Sequence, residues 1–282
     1  MDGLLVLDKP GGMTSRDALN RVQRRFPRGT RIGHTGTLDP LATGVLVVCV
    51  GQATRLAEYV QSMRKTYRST FLLGARSDTD DADGTVTPVE GPREISRAEI
   101  ETSLAAFVGE IEQTPPAYSA AKVTGQRAYD LARRGEDVDL KPRRVLIYGI
   151  DILACSWPTL EVEVRCGKGT YIRSIARDLG DRLGCGGYVQ VLRRMRVGPF
   201  SVDDAVGLDS ESPPLRPVAE ALAELPHVVV SADEAVRLRQ GQTIPHDGSG
   251  EVAVFDADNG LVAIANADET GKRLRPVKTF SV

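Results

Sequence analysis

The chain contains few of the residues that build metal centres or disulfide frameworks. Of its 282 residues, four are cysteine and three are histidine, and no two cysteines have C-x-x-C spacing. A structural zinc site or a disulfide framework is therefore not expected. We interpret the cysteines as small, reduced apolar residues of the core.

Long apolar runs are also missing. The longest, Val45 to Val50, has the length of a strand, whereas a membrane span needs roughly 18 apolar residues. The N-terminus lacks the basic region and apolar segment that are typical of a secretory signal. We therefore expect a cytoplasmic protein without a membrane partner. Its 41% hydrophobic content is enough for one large core, or for one large and one small core.

A strong net charge is absent as well, since the formal charge is −2. The distribution is uneven: residues 9–31 contain seven Lys or Arg and one Asp, and residues 165–196 contain eight and two. Residues 78–112 are acidic, with ten Asp or Glu and two Arg. This pattern fits a local anion-binding face or scattered solvated arginines, and charge alone leaves both interpretations open.

Hydrophobic periodicity predicts a mixed succession of strands and helices. Strands are predicted at 3–8, 45–50, 65–73, 144–153, 160–166, 188–198, 251–255 and 260–265. Helices are predicted at 14–26, 53–63, 96–108, 126–134 and 171–183. Because the order lacks regular strand-helix-strand alternation, it favours an α+β fold over a doubly wound sheet.

The composition of the chain changes after Pro199. A cluster of prolines between positions 213 and 226 indicates a boundary near 210–227. We therefore predict a domain of residues 1–225 and a smaller β-rich domain of residues 226–282. About 55 residues are too few to form a large core of their own, so the smaller domain is expected to pack on the first.

The loop from Gly33 to Gly44, with the sequence GHTGTLDPLATG, is the most distinctive segment. Its glycines, threonines and proline indicate a constrained backbone path. It lacks the Gly-Lys-Ser/Thr ending of a P-loop, which argues against binding of a nucleoside triphosphate. Taken alone, Asp39 could cap a short helix over 40–44 or act as a functional carboxylate.

Six segments in collinear order resemble the TruB family of tRNA pseudouridine synthases. They are GLLVLDKPGGMTS (3–15), GHTGTLDPLATG (33–44), KTYRSTFLLGARSDTDDADG (65–84), PPAYSAAKVTGQRAYDLAR (115–133), CGKGTYIRSIARDLG (166–180) and VLRRMRVGPF (191–200). A further segment, residues 225–242, resembles the entry to the PUA-like C-terminal domain of that family. The resemblance implies a mixed, mainly antiparallel central sheet flanked by helices.

The same resemblance implies an activity, namely isomerisation of uridine 55 in the T-loop of tRNA to pseudouridine without a cofactor or a metal. Asp39 would be the catalytic nucleophile, attacking the ribose C1′ or assisting formation of a glycal, and the sequence leaves both routes open. Arg173 would pair with this carboxylate and keep it ionised. Tyr67 would stack on the flipped uracil.

Further residues are assigned to substrate binding by resemblance. Tyr171 would contact the target nucleotide, Leu192 would line the base pocket, and His34 would occupy the space left by the flipped base. Basic residues that would support the site or hold phosphates are Lys9, Lys65, Lys122, Arg193, Arg194 and the helix within 16–31.

The expected partner is the T-stem-loop of tRNA, bound by a monomer without a guide RNA. A non-catalytic RNA-binding module is an alternative, although binding alone does not need a carboxylate that faces a polyanion. Two others are a guide-RNA-dependent member of the same superfamily and a glycosylase that stops after base removal.

Overall fold

A computed structural model describes residues 1–119, 122–123, 126–127, 134, 140–210 and 214–280. Its strands are β1 (Gly3–Lys9), β2 (Ile32–His34), β3 (Thr43–Val50), β4 (Lys65–Leu73), β5 (Ala75–Ser77), β6 (Val86–Pro88), β7 (Gly109–Gln113), β8 (Lys122–Val123), β9 (Gln126–Arg127), β10 (Arg143–Ser156), β11 (Thr159–Cys166), β12 (Gly187–Val197), β13 (Phe200–Ser201), β14 (His227–Val229), β15 (Ile244–Pro245), β16 (Glu251–Phe255), β17 (Leu261–Ala267) and β18 (Arg273–Thr279). Its α-helices are α1 (Ser15–Gln23), α2 (Ala57–Ser62), α3 (Arg97–Ala105), α4 (Ile172–Arg182) and α5 (Ala232–Arg239).

The central sheet has the strand order β1-β3-β12-β4-β11-β10-β7, with β2 added to β3 and β13 to β12. Every pairing in it is antiparallel except the short parallel contact between β12 and β3. The α+β class, with a mixed and mainly antiparallel sheet, is thereby confirmed. The parallel contact brings the start of β3, where the Gly33–Gly44 loop ends, beside Arg193 and Arg194 of β12.

The larger core lies between this sheet and the helices α1, α3 and α4. Strand β4 contributes Phe71 and Leu73 to it, at alternating positions that point to one face. Helix α4 is amphipathic and contributes Ile172, Ile175 and Leu179. Because α1 and α4 pack on the same side of the sheet, their N-termini can approach the same loop.

A second core covers the opposite face of β1 and β3. Both strands are buried on both faces, which explains why Val45 to Val50 is uninterrupted by polar residues. Phe255 and Ile264 of a second sheet, ordered β14-β16-β17-β18-β15, join this core. The second sheet therefore packs on the first, as expected, while the exact division at residues 225 and 226 stays a prediction.

Several elements differ from the expected ones. The segment predicted as one helix over 53–63 is a 3-10 helix, Gly51–Leu56, followed by α2. Strand β7, helix α5 and strand β18 were not predicted, because their apolar residues are few or weakly periodic. Of the helix predicted at 126–134, residues 126–127 form β9 and Arg134 lies in a turn; the others fall outside the described residues, as does the side chain of Lys122. Within the described ranges, no helix is both long and apolar enough for a membrane span.

Candidate active site

The loop that carries Asp39 is fixed on both sides of that residue. The Ser15 hydroxyl accepts from the backbone N–H of Leu38 at 2.7 Å and donates to its carbonyl at 2.9 Å. On the other side, the Gly12 N–H donates to the Pro40 carbonyl at 2.9 Å. Residues 40–44 form no helix, and the Asp39 carbonyl instead accepts from Ala42 in a turn. The alternative of a helix-capping Asp39 is therefore not supported.

Lys9 supports the same loop from beneath. Its side chain is fully buried, and its Nζ donates to the carbonyls of Pro10 at 2.8 Å, Met13 at 2.7 Å and Pro40 at 3.4 Å. Burial lowers the pKa of Lys9 to about 8, although the nearby Asp39 carboxylate opposes this shift. These contacts favour the supporting role expected for Lys9 and leave no exposed ammonium for a phosphate.

Arg194 also holds the loop. Its guanidinium is buried and donates to the carbonyls of Val45 at 2.7 Å and Gly36 at 3.1 Å. This position differs from the expected phosphate contact, since the charge is directed into the protein. Gly44 makes the approach possible: with φ +99°, it lies so near β12 that an added Cβ would be 2.2 Å from the Arg194 carbonyl oxygen.

An ion pair joins this loop to the first turn of α4. The Nη2 atom of Arg173 lies 2.9 Å from the Oδ2 atom of Asp39, as the sequence predicts. Arg173 is almost completely buried, whereas 31% of the Asp39 side chain is exposed, so a substrate can reach the carboxylate. Withdrawal from water raises the pKa of Asp39, and the Arg173 guanidinium opposes that shift.

The acidic loop at 77–84 completes the ion-pair network, a function that the sequence did not reveal. Arg173 also lies 3.1 Å from the buried Asp81 carboxylate and donates to the Thr79 carbonyl at 2.7 Å. Its neighbour on the next helical turn, Arg177, pairs with Asp80 at 2.8 Å. Two features of the sequence could have indicated this network. One is the density of Asp residues in the 77–84 loop, and the other is the spacing of Arg173 and Arg177 by four residues, which places them on one side of a helix.

Tyr67 lies in the centre of the sheet, between Val164 of β11 and Arg194 of β12. Its ring is half-buried against the larger core. Burial raises the pKa of its hydroxyl; the Asp39 carboxylate adds to that shift, and a hydrogen bond with Arg194 opposes it. Its strand partner Arg194 also holds the Asp39 loop, so the three expected catalytic residues lie in the same region of the fold.

Tyr171 caps the N-terminus of α4, two residues before Arg173. The buried Gln113 side chain accepts from the Tyr171 N–H at 2.8 Å and donates to its carbonyl at 3.0 Å. The guanidinium of Arg143 lies over the Tyr171 ring, 4.6 Å from its centroid. The sequence offers no reason to select Gln113 or Arg143, because the segments next to them have an ordinary composition.

The remaining predicted residues lie around this centre. Leu192 is buried in the same core as Leu38, and His34 lies half-buried on β2 opposite Val48. Lys65 is buried and donates to the carbonyls of Met63 and Gln61, and burial lowers its pKa to about 8. Lys65 therefore supports the local backbone in the structure and does not face solvent as a phosphate contact would.

Some of the residues expected to bind phosphates are exposed or partly exposed. Arg193 is partly exposed and forms a two-point ion pair with Asp8, at 2.7 and 3.1 Å. On α1 and its C-cap, Arg16 and Arg24 are exposed, and no ion pair of either is present among the described residues. They lie on one face of the helix, which begins beside the Asp39 loop.

Three family models match the chain in succession. They are the N-terminal domain of the TruB family pseudouridylate synthases over residues 24–172, the tRNA pseudouridylate synthase B C-terminal domain over 173–236, and the tRNA pseudouridine synthase II C-terminal domain over 225–281. Together they cover residues 24–281, which leaves Lys9 and the first part of the predicted basic helix outside the matches.

Curated relatives match over nearly their whole length. The tRNA pseudouridine synthase B of Xanthomonas oryzae pv. oryzae (strain MAFF 311018) is 41% identical, with 100% of this chain and 94% of the relative covered. That of Chromohalobacter salexigens is also 41% identical, covering 96% and 92%.

Among solved structures, a Cbf5-Nop10-Gar1 complex contains a chain of the same fold, with a TM-score of 0.75 and 24% identity over 99% of this chain and 85% of that chain. An archaeal box H/ACA Nop10-Cbf5 complex gives a TM-score of 0.73 at 24% identity, covering 99% and 86%. The family models and the curated relatives show that the chain belongs to the TruB family of tRNA pseudouridine synthases, enzymes that isomerise uridine in tRNA to pseudouridine.

Proposed function

We propose that this enzyme modifies uridine 55 in the T-loop of tRNA, with Asp39 as its nucleophilic or charge-stabilising carboxylate and without a guide RNA. The observation that carries the proposal is the ion pair between the accessible Asp39 and the buried Arg173. A buried guanidinium next to a reachable carboxylate orients that carboxylate and favours its charged form. This is the arrangement that attack on a ribose carbon, or stabilisation of positive charge there, requires.

The reaction balances within one nucleotide. The bond between C1′ and N1 breaks, uracil rotates, C5 bonds to C1′, C5 loses its proton and N1 gains one. The change is redox-neutral, so it needs no electron acceptor and no cofactor is proposed. In the proposal, the half-buried Tyr67 ring stacks on the rotating base, and its raised pKa keeps the hydroxyl protonated at neutral pH.

The uridine must leave the T-loop before Asp39 can reach its ribose, so the proposal includes base flipping. In it, Tyr171 contacts the flipped nucleotide, Leu192 lines the base pocket, and His34 fills the vacated space. The exposed Arg16 and Arg24 on α1 would bind phosphates of the same RNA. A single copy of the chain contains all these groups, so the proposed active form is a monomer. The proposed location is the cytoplasm, where tRNA is available.

The test compares wild-type protein with Asp39→Asn on an unmodified tRNA transcript, with no other RNA added. The expected result is pseudouridine at position 55 with the wild type, none with the variant, and unchanged tRNA binding by both. Asp151→Asn serves as a control, because Asp151 is an exposed carboxylate paired with Arg165. Full activity of Asp39→Asn would overturn the catalytic assignment. Wild-type activity at another position, or only with a guide RNA, would overturn the substrate assignment, and released uracil would indicate a glycosylase.

A further inference from the structure

Ser15 makes an unusual contact for a helix residue. Its single hydroxyl satisfies both backbone groups of Leu38, at 2.7 Å for the N–H and 2.9 Å for the carbonyl, and both residues are buried. Helix α1 does not depend on this hydroxyl, because Thr14 supplies the N-terminal cap. The Ser15 side chain is therefore free to replace the strand partner that Leu38 lacks.

Gln113 makes the equivalent contact on the other side of the site. Its side-chain amide satisfies the N–H of Tyr171 at 2.8 Å and the carbonyl at 3.0 Å, and only 1% of the residue is exposed. Tyr171 is the N-cap of α4 but makes no capping bond with its own side chain. Gln113, at the end of strand β7, therefore fixes the entrance of this helix from outside.

The two contacts flank the Asp39–Arg173 ion pair. Leu38 precedes Asp39 by one residue, and Tyr171 precedes Arg173 by two. We call each of these paired hydrogen bonds a clamp. Each clamp fixes the backbone next to one member of the ion pair, at a position without strand-to-strand hydrogen bonds. Buried backbone groups need hydrogen-bond partners, so removal of either clamp would let that segment move toward a different arrangement.

We propose that Ser15 and Gln113 are positioning residues, which hold Asp39 and Arg173 in register by clamping the backbone of Leu38 and Tyr171. The inference rests on the proposed catalytic role of Asp39. Neither side chain needs to touch the RNA. A displacement of about 1 Å at reacting groups can lower a rate by roughly 100-fold, so loose clamps would reduce kcat while the RNA-binding surface stays intact.

The test measures single-turnover rates and tRNA Kd for Ser15→Ala, Gln113→Met and the double variant, with rates expressed per folded, tRNA-binding molecule. Each single variant is expected to lose roughly 10- to 100-fold in rate, with Kd within about twofold. Because both clamps act on one ion pair, the double variant should lose less than the product of the single losses. Ser103→Ala, which removes a buried serine from α3, should leave the rate unchanged.

Gln113→Glu provides the conservative comparison, since a carboxylate keeps the acceptor for the Tyr171 N–H but loses the donor for its carbonyl. Its rate should fall at least as far as that of Gln113→Met, because the new carboxylate oxygen would repel the Tyr171 carbonyl. Should Ser15→Ala fail to fold, the two Gln113 variants make the same prediction on their own.

The pH dependence separates positioning from a loss of folded protein. Since Arg173 opposes the upward shift in the pKa of Asp39, a loosened pair should move the acidic limb of the rate profile to higher pH. Unchanged rates per folded molecule would overturn the positioning role. Reduced rates with the acidic limb of the profile at the same pH as in the wild type would also overturn it. An active Asp39→Asn enzyme would instead overturn the proposed function, whatever the clamp variants do.

Discussion

The Nη1 atom of Arg173 lies 3.1 Å from the Oδ2 atom of Asp81, and both side chains are withdrawn from solvent. The same guanidinium meets Asp39 through its other terminal nitrogen, so one arginine is shared by a structural and an accessible carboxylate. We predict that Asp81→Asn lowers kcat by roughly 100-fold, because Arg173 loses the charge that orients it. The free energy of unfolding should fall by about 2 kcal/mol, the range for a hydrogen bond to a charged group.

Chemical denaturation and single-turnover kinetics check this prediction. Asp83→Asn is the matched control, since Asp83 is in the same loop but its side chain is exposed. A variant at Asp81 with wild-type kcat would show that the remaining partners of Arg173, which include Asp39 and the Thr79 carbonyl, position the guanidinium.

The pKa of Asp39 gives a prediction for the pH profile. Burial raises this pKa above its ordinary value of 3.8, and in the proposed reaction the ionised carboxylate is the active form. The value of kcat/KM should therefore fall as pH decreases, with a midpoint above the ordinary carboxyl value. Arg173→Lys keeps a positive charge but loses the planar fork, so the opposing effect weakens and the midpoint should move to higher pH.

The profile is measured with tRNA transcript over a pH range in which the protein remains folded. Arg177→Lys is the control, because Arg177 pairs with Asp80 and does not contact Asp39. The prediction is contradicted if both lysine variants titrate at the wild-type midpoint.

The buried Lys9 gives a prediction for stability. Its pKa is about 8 in the folded protein and 10.5 in a solvated chain, so the unfolded state binds the proton more tightly. The free energy of unfolding should therefore rise with pH between about 8 and 10.5, by about 3 kcal/mol from this group. Lys9→Met has no such proton, and the difference in stability between wild type and variant should change by that amount.

Urea denaturation of both proteins at several pH values measures this difference. Lys65, whose pKa burial also lowers, is present in both proteins, and its contribution cancels. A constant difference between pH 7 and 10.5 would mean that Lys9 keeps its ordinary pKa when buried.

The sequence located the residues at the centre of the candidate site better than the residues that support them. Asp39, Tyr67 and Arg173 were expected together because their segments resemble motifs of one family. Ser15, Asp81 and Gln113 could not, since a hydroxyl, a loop carboxylate and an amide become informative only when the fold shows which backbone group or charge they meet. Lys9 and Arg194 illustrate the converse: a basic residue in a motif resembles a phosphate ligand until its burial is known.

The secondary-structure elements also differ in how well the sequence predicts them. Strands β3 and β4 and helix α4 have clear periodicity and were located within about two residues, because burial on one or both faces fixes their pattern. Strand β7, with the sequence GEIEQ, has only Ile111 and Gln113 turned inward. Its existence depends on pairing with β10, a long-range interaction that local sequence does not encode.

The last prediction concerns the exposed arginines of α1. Arg16 and Arg24 are about 12 Å apart along one face of the helix, and Ser15 ties that helix to the Asp39 loop. If both bind RNA phosphates, each arginine releases counterions on binding, and the slope of log K against log salt should decrease by roughly 0.7 to 0.9 for each arginine that is replaced. The double variant Arg16→Ala, Arg24→Ala should therefore bind tRNA more weakly at low salt, with a slope shallower by about 1.5.

The matched control is the double variant Arg93→Ala, Arg97→Ala. It removes two exposed arginines that are already paired on or near α3, and it should leave the slope unchanged. Equal slopes for the two double variants would mean that other residues bind the phosphates. Arg193 is then the next residue to substitute, because it is partly exposed and contacts Thr43 of the Asp39 loop.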